Sequence, residues 1–240
     1  MWERVTSGQS GAAMFRGRGM YRKVTPDAET EAATMSWLRA HGLPVAEVVD
    51  IGPDWIVTRE ITGMTAADPW PEDRRSRVID ALTDMTLALH ALPVYECPFD
   101  RSLATVAQEA REAAASGRVD LGDLDEDRQG WTATQLLAAL DAQVPAMSER
   151  EVLAVTHGDW CLPNVLLDPE TVRVAGLLDT GRVGRADRYT DLALMNRSLR
   201  SGELNSQYGN ELADHYLNRC GHHAADDDKL GFYALVDEFF

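Results

Sequence analysis

The chain has 240 residues, 45% hydrophobic and 26% charged, an ordinary globular balance with enough length to bury one large core or two smaller lobes. With 23 Lys and Arg against 39 Asp and Glu the formal charge is −16, which disfavours nucleic acid and anionic membrane, both of which demand clustered basic side chains, and suits a cationic ligand. No run has the length of a membrane span, no basic stretch followed by an apolar one opens the chain, and the widely spaced Cys97, Cys161 and Cys220 read as reduced thiols, so a cytoplasmic protein is expected.

The segment from Val5 to Phe15 places Ser7, Gly8, Ser10 and Gly11 in a small turn between two strands. Backbone N–H groups of such a turn can cover phosphates, which makes Ser10 and Gly11 candidate nucleotide contacts. The turn matches neither G-x-G-x-x-G nor a P-loop, and a plain hairpin explains it equally well. Alternation over Met20–Val24 predicts a strand with Tyr21 and Lys23 on one face, from which a lysine reaches the phosphates of a nucleotide. A helix follows, with Thr25 as N-cap, Pro26 at its first position and Gly42 and Pro44 beyond its end. Ala28, Ala32, Met35 and Leu38 define its inner side, which Glu31 shares, so Glu31 is the candidate partner of Lys23 and Glu29 its competitor.

Residues 45–51 and 55–61, joined by Gly52-Pro-Asp54, predict a hairpin, and Gly63 breaks the pattern. Strands before this point and helices after it give an α+β chain with a β-rich lobe over 1–62, a hinge at 59–63 and a helical lobe over 63–240. A nucleotide base is expected at the hinge, against backbone groups of Glu60 and Ile61, because clefts between lobes bind ligands.

Val78, Ile79, Leu82, Met85 and Leu89 follow a helical period from Pro71 to Leu92, with His90 a packed or capping residue at its end, and a second helix covers Arg101–Ser116. Between Asp120 and Asp127 five acids fall in eight residues. The default is a solvated loop; the functional alternative is a receptor for ammonium groups. A further helix carrying Leu136, Leu137, Leu140 and Val144 is expected to end at Pro145.

The chemistry concentrates where the apolar strand 152–156 runs into His157-Gly-Asp159, with Asn164 five residues on, and where a hairpin over 165–178 delivers Asp179-Thr-Gly181. Phosphoryl transfer needs a carboxylate to orient the attacking hydroxyl and take its proton, and hard oxygens to hold Mg²⁺ against the triphosphate of ATP. Protein kinases write these parts as H-R-D-x-x-x-x-N and D-F-G. A lone His-Gly-Asp is an ordinary turn; spacing, order and flanking strands together assign Asp159 as base and Asn164 and Asp179 as magnesium ligands. Cys161 has no base beside it in the sequence and is not read as a nucleophile. Asp191 reads as a structural acid holding the catalytic loop, while Arg182 and Arg197 serve phosphate or brace an acid. Cys220-Gly-His222-His223 with Asp226 to Asp228 reads as a helix stop and an acidic first turn rather than a metal site. The last helix ends in Asp237-Glu238-Phe-Phe240, and folded over the cleft it would add these two acids and the terminal carboxylate.

Cys97-Pro-Phe-Asp100, Asp123-Leu-Asp-Glu126 with Gln129-Gly130, Thr156-His-Gly-Asp159, Cys161-Leu-Pro-Asn164, Asp179-x-Gly-Arg182, Ala186-Asp-Arg-Tyr189 and the Asp-Glu-Phe-Phe240 ending together resemble the aminoglycoside phosphotransferases, above all the 3'-phosphotransferases of kanamycin and neomycin. The resemblance implies a two-lobed protein-kinase-like fold, with a small antiparallel β-rich N-lobe and a larger, mainly helical C-lobe. It implies transfer of the γ-phosphoryl of ATP, with Mg²⁺, to a sugar hydroxyl, conferring antibiotic resistance, by a monomer. Lys23 and Glu31 become the phosphate-positioning pair, and Asp123, Glu126, Arg197, Asp237, Glu238 and the Phe240 carboxylate lie at the aminocyclitol site. Two departures stand out: the N-terminal lobe is short for the family, and Ser198 and Ser201 stand where some members carry acids. Streptomycin 3''-phosphotransferases share Cys-Pro-Phe and His-Gly-Asp, so they are the alternative class, and a non-catalytic aminoglycoside- or nucleotide-binding protein on this scaffold is another. A protein kinase is disfavoured because no A-P-E segment is present.

Overall fold

Short alternating segments near the N-terminus form strands because each has one face to bury. In the computed structural model, which describes residues 2–5, 13–202 and 205–240, these are β1 (Glu3–Val5), β2 (Met14–Gly17), β3 (Met20–Val24), β4 (Val48–Gly52) and β5 (Trp55–Arg59). They pair antiparallel in the order β1-β2-β3-β5-β4, with Lys23 opposite Ile56 and Met14. Ser10 and Gly11 lie outside the described residues.

Helix α1 (Ala28–Ala40) lays Ala28 and Met35 on Ala46 and Ile56 of this sheet region, with Glu31, Thr34 and Leu38 on the same buried side. It opens later than Thr25 and Pro26 predict. The Thr25 N–H is still bonded to the Asp54 carbonyl at 2.9 Å, and the Thr25 hydroxyl accepts from the Asp27 N–H at 3.2 Å, so Thr25 closes a turn instead of capping the helix.

Beyond β6 (Met64–Thr65) the chain is mainly helical: α2 (Glu72–His90), α3 (Leu103–Ser116) and α4 (Ala133–Ser148). Thr132 and Gln135 form a reciprocal capping box at the start of α4. Pro145 does not end α4, because a proline within the last turn forfeits its own N–H bond while its fixed φ remains helical. The strands β7 (Leu153–Thr156), β8 (Val165–Leu167), β9 (Val174–Leu177) and β10 (Gly184–Asp187) follow, then α5 (Tyr189–Arg200), α6 (Gly209–Arg219) and α7 (Asp227–Asp237). β7 pairs with β10, and β6-β8-β9 form a second small sheet.

One apolar core runs from Leu38, Leu43 and Val45 through α2 and β7 to Phe232 and Phe239. The small lobe therefore joins the large one through residues 43–45, where the Pro44 carbonyl accepts the Leu177 N–H at 2.8 Å. This α+β arrangement of a small antiparallel sheet lobe and a larger helical lobe is the one expected. No helix among the described residues is long and apolar enough to cross a membrane.

Candidate active site

β7 carries the chain into the core and out again at the loop, with Thr156 and His157 fully buried. Gly158 turns the chain at φ +82°, and a Cβ there would stand 2.3 Å from the Arg182 carbonyl oxygen, so only glycine fits. The His157 and Gly158 N–H groups donate to the Asp191 carboxylate at 2.9 and 3.0 Å, which bears out its reading as the acid holding this loop. The Asp159 N–H donates to His157 Nδ1 at 3.3 Å.

The Asp159 carboxylate is half-buried at the loop tip. Its Oδ2 accepts from Asn164 Nδ2 at 2.8 Å, and the same nitrogen reaches the Asp159 carbonyl at 2.9 Å. The five-residue spacing makes this possible because the 3₁₀ turn Leu162–Asn164 folds the asparagine back. The β8–β9 hairpin, with Val165 opposite Leu177, then returns the chain so that the Leu178 N–H meets the Asn164 carbonyl at 2.9 Å, and Asp179 emerges beside it in the left-handed region at φ +51°.

Lys23 closes the arrangement from the small lobe. Its Nζ donates to Asp179 Oδ1 at 2.6 Å and to Glu31 Oε1 at 3.1 Å, so of the two candidate acids it is buried Glu31, and not exposed Glu29, that meets the lysine. Burial works against the Lys23 charge, but the Asp179 and Glu31 carboxylates outweigh it and hold the ammonium above its ordinary pKa. Burial raises the Glu31 carboxyl, and Lys23 only partly offsets this. The two shifts agree on a desolvated pair whose favourable Coulomb energy is spent partly on burial.

With the Asn164 nitrogen bonded to Asp159, its side-chain oxygen remains as a hard donor, and the Leu178 N–H bond to the Asn164 carbonyl brings the residue before Asp179 alongside. Among the described residues no group of three or more His, Cys, Asp or Glu is placed to hold a metal ion. Two oxygen side chains suit Mg²⁺, which takes one or two protein ligands and completes its shell with water and phosphate oxygens. Just beyond β5, the Glu60 N–H is committed to the Gly19 carbonyl at 3.0 Å and its carboxylate to Arg16 at 2.6 Å. The Ile61 side chain lies over β9, where a Cβ on Gly176 would come within 2.6 Å of Ile61 Cδ1.

The acids expected at the aminocyclitol site divide into two sets. Asp123 and Glu126 are exposed. Asp237 and Glu238 instead belong to a chain of ion pairs. Arg182 meets Asp237 at 2.8 Å, Asp237 meets Arg197 at 2.5 Å, Arg197 meets Asp125 at 3.3 Å, Asp125 meets Arg128 at 2.8 Å, and Arg128 meets Glu238 at 2.5 Å. Arg182 and Arg197 thus brace acidic neighbours. Burial opposes the Arg197 charge, yet Asp237 and Asp125 hold it above its usual value, while burial raises the Glu238 carboxyl despite Arg128. The Phe240 ring lies 5.5 Å from the guanidinium carbons of both Arg101 and Arg182.

Asp125 is read from the sequence only as a member of the acidic run, and Arg128 is not singled out at all. Ser198, noted as a departure, donates support of another kind: its hydroxyl accepts the Leu162 N–H at 3.2 Å beneath the loop. The Cys161 thiol points at Asp159 Oδ1 at 3.8 Å, and burial followed by that carboxylate raises its pKa far above neutrality, so it is no nucleophile. His222 bonds the Tyr189 hydroxyl and Asp227, as a residue between two helices should.

The profile of the phosphotransferase enzyme family matches residues 4–228. The chain is 45% identical over its whole length to an aminoglycoside 3'-phosphotransferase of Streptomyces fradiae, of which it covers 95%. A crystal structure of an aminoglycoside-3'-phosphotransferase of type VIII superposes with a TM-score of 0.90 at 43% identity, covering all of this chain and 93% of that one. An aminoglycoside 3''-phosphotransferase of Streptomyces rimosus, solved with ADP and streptomycin, follows at a TM-score of 0.86 and 32% identity, over 99% of this chain and 92% of that one.

Proposed function

The chain belongs to the phosphotransferase enzyme family, and from that premise we propose that it transfers the γ-phosphoryl group of ATP to the 3'-hydroxyl of kanamycin- and neomycin-type aminoglycosides, conferring resistance to them. One observation carries the reading of the site: Lys23 bonds Glu31 and Asp179 at once, Asn164 bonds Asp159, and the backbone bond from the Leu178 N–H to the Asn164 carbonyl brings these two sets of side chains together.

In this reading Asp159 receives the sugar hydroxyl, fixes its direction of attack and accepts its proton as the oxygen bonds to phosphorus. Asn164 and Asp179 would hold Mg²⁺, which when bound neutralises the charge of the phosphates. Lys23, kept charged by its two carboxylates and oriented by Glu31, would pair with the phosphates. The base lies at the end of β5, where the committed Glu60 N–H leaves the Glu60 carbonyl and the Ile61 backbone as its partners. We place the lobe boundary at 62/63 with the hinge over 59–63, because β5 ends at Arg59 and β6 already pairs with β8 of the large lobe. Everything the reaction needs comes from one chain, so a monomer suffices, and a cytoplasmic location supplies the ATP.

Ammonium groups of the substrate dock against Asp123, Glu126, Asp237, Glu238 and the carboxylate of Phe240, with Arg197 setting the positions of Asp125 and Asp237. The 45% identity to a 3' enzyme over the full chain supports the 3' class over the 3'' class. An ADP-release assay with Mg²⁺-ATP against kanamycin, neomycin, a 3'-deoxy aminoglycoside and streptomycin tests this. Turnover of the first two alone is expected. Turnover of streptomycin alone moves the chain to the 3'' class, and nucleotide binding without turnover of any makes it a binding protein.

A further inference from the structure

The carboxylate that holds the catalytic loop is itself held from a third direction. Asp191 lies in the first turn of α5 with no exposed surface, and both its oxygens are engaged: Oδ1 accepts the Gly158 N–H, and Oδ2 accepts the His157 N–H. The third donor is His90, the last residue of α2, whose Nε2 lies 2.9 Å from Asp191 Oδ2. A carboxylate can only accept, so Nε2 carries the proton in this contact. Among the ion pairs of the described residues His90 is the side-chain partner of Asp191; no lysine or arginine takes that place.

Geometry makes this contact directional. The carboxylate plane of Asp191 fixes two successive N–H groups, and the second belongs to Gly158, at φ +82° with the Arg182 carbonyl packed where a Cβ would stand. Asp159 is the next residue. A rotation of Asp191 therefore displaces both amides and, through them, the direction of the Asp159 carboxylate. His90 opposes that rotation from an immobile base, since Val78, Ile79, Leu82 and Leu89 anchor α2 with no exposed surface.

We propose that His90 is a positioning residue for phosphoryl transfer: by fixing the Asp191 carboxylate it sets the orientation of His157-Gly158 and hence of Asp159. The inference rests on the reading of Asp159 as the base. It assigns to the end of α2 a share in catalysis without any contact to substrate or nucleotide.

The test compares His90→Leu, which removes the donor, with His90→Gln, whose amide nitrogen can occupy the place of Nε2. His90→Asn, whose donor falls short of Asp191, is the second variant should the leucine protein fail to fold. With kanamycin as acceptor, His90→Leu or His90→Asn is expected to lower kcat by about 10- to 100-fold, the scale of a misplacement of about 1 Å. KM for ATP should stay within about twofold, and His90→Gln should recover most of kcat. Hydrogen exchange on the protein without substrates reads the same contact independently of turnover: the His157 and Gly158 amides should exchange faster in the leucine or asparagine variant and return towards wild type in the glutamine variant. A kcat within twofold of wild type in the donor-less variants, a loss that glutamine does not repair, or unchanged exchange at both amides overturns the proposal. If wild type turns over no aminoglycoside while the exchange pattern is as expected, it is the functional reading that fails and the anchoring of the loop by His90 that stands.

Discussion

Asp159 has little freedom. Asn164 fixes one carboxylate oxygen at 2.8 Å, the Cys161 thiol faces the other at 3.8 Å, and its own N–H is tied to His157. Asp159→Asn keeps this shape and removes only the proton acceptor. We expect kcat to fall by about 10²- to 10⁴-fold, with the thermal midpoint and KM for ATP little changed, as read in the ADP-release assay. A variant retaining a tenth of wild-type kcat would exclude Asp159 as the base. Lys23 supports a prediction of sign. Its folded pKa is raised above the unfolded value of about 10.4, so the stability that its pairing contributes is fully present below that value and is lost as pH rises through the folded pKa. The stability gap between wild type and Lys23→Met should therefore be flat from pH 7 to about pH 9 and close only as pH rises beyond the unfolded value of about 10.4, whereas a gap that closes near neutrality would show the lysine to be deprotonated there. These residues were legible because local periodicity fixes them: a five-residue loop spacing, a hairpin and the inner side of a helix. Asp125 and Arg128 were not. Arg128 meets Glu238 across 110 residues of sequence, and such a pairing leaves no periodic trace.

At the scale of elements, the loop depends on the close crossing of Gly158 and Arg182. Gly158→Ala forces a Cβ to within 2.3 Å of a backbone oxygen at a φ that L residues avoid, so it should cost about 1–3 kcal/mol of stability and lower kcat as well. Urea unfolding together with the activity assay would check both, and an alanine variant of wild-type stability would refute the crossing. α7 is fastened by a different device. Lys229 Nζ donates to Asp187 Oδ2 at 2.6 Å in full burial, and Asp187 also accepts the Val152 and Tyr189 N–H groups at 2.9 and 2.8 Å. Lys229→Met strands a buried carboxylate, and we expect a loss of about 3–5 kcal/mol in urea unfolding, against less than about 1 kcal/mol if the pair is solvated. The elements that the sequence located well, β3, the β4–β5 hairpin, α2 and the β8–β9 hairpin, are those whose apolar pattern matches one period. The start of α1 shifted because Thr25 is tied to the β4–β5 turn, a tertiary bond invisible to capping rules. Of α6 only the stop at Cys220-Gly221 was read and not its body, although Ala213, Tyr216 and Leu217 carry its buried side; opening on Gly209 after a polar run, its signal is short.

For the whole molecule, charge acts at two ranges. Within the proposed substrate site, Arg128, Arg182 and Arg197 face Asp125, Asp237 and Glu238, so this inner network is balanced and supplies shape more than attraction. The attraction comes from the rest of the chain, whose 39 acids exceed its 23 basic residues by 16. Such a field draws a polycation in and opposes a polyanion, and salt screens both effects. Raising ionic strength from about 0.1 M to about 1 M shortens the Debye length from about 10 Å to about 3 Å, less than the separation of most surface charges from an approaching ligand. KM for kanamycin should consequently rise several-fold over this range, while KM for Mg²⁺-ATP should hold steady or fall. The two opposite slopes separate field effects from a general salt inhibition, which would raise both. If KM for kanamycin stays flat, binding is governed by short-range contacts with Asp123, Glu126 and the terminal carboxylate, and the acidity of the chain serves solubility alone.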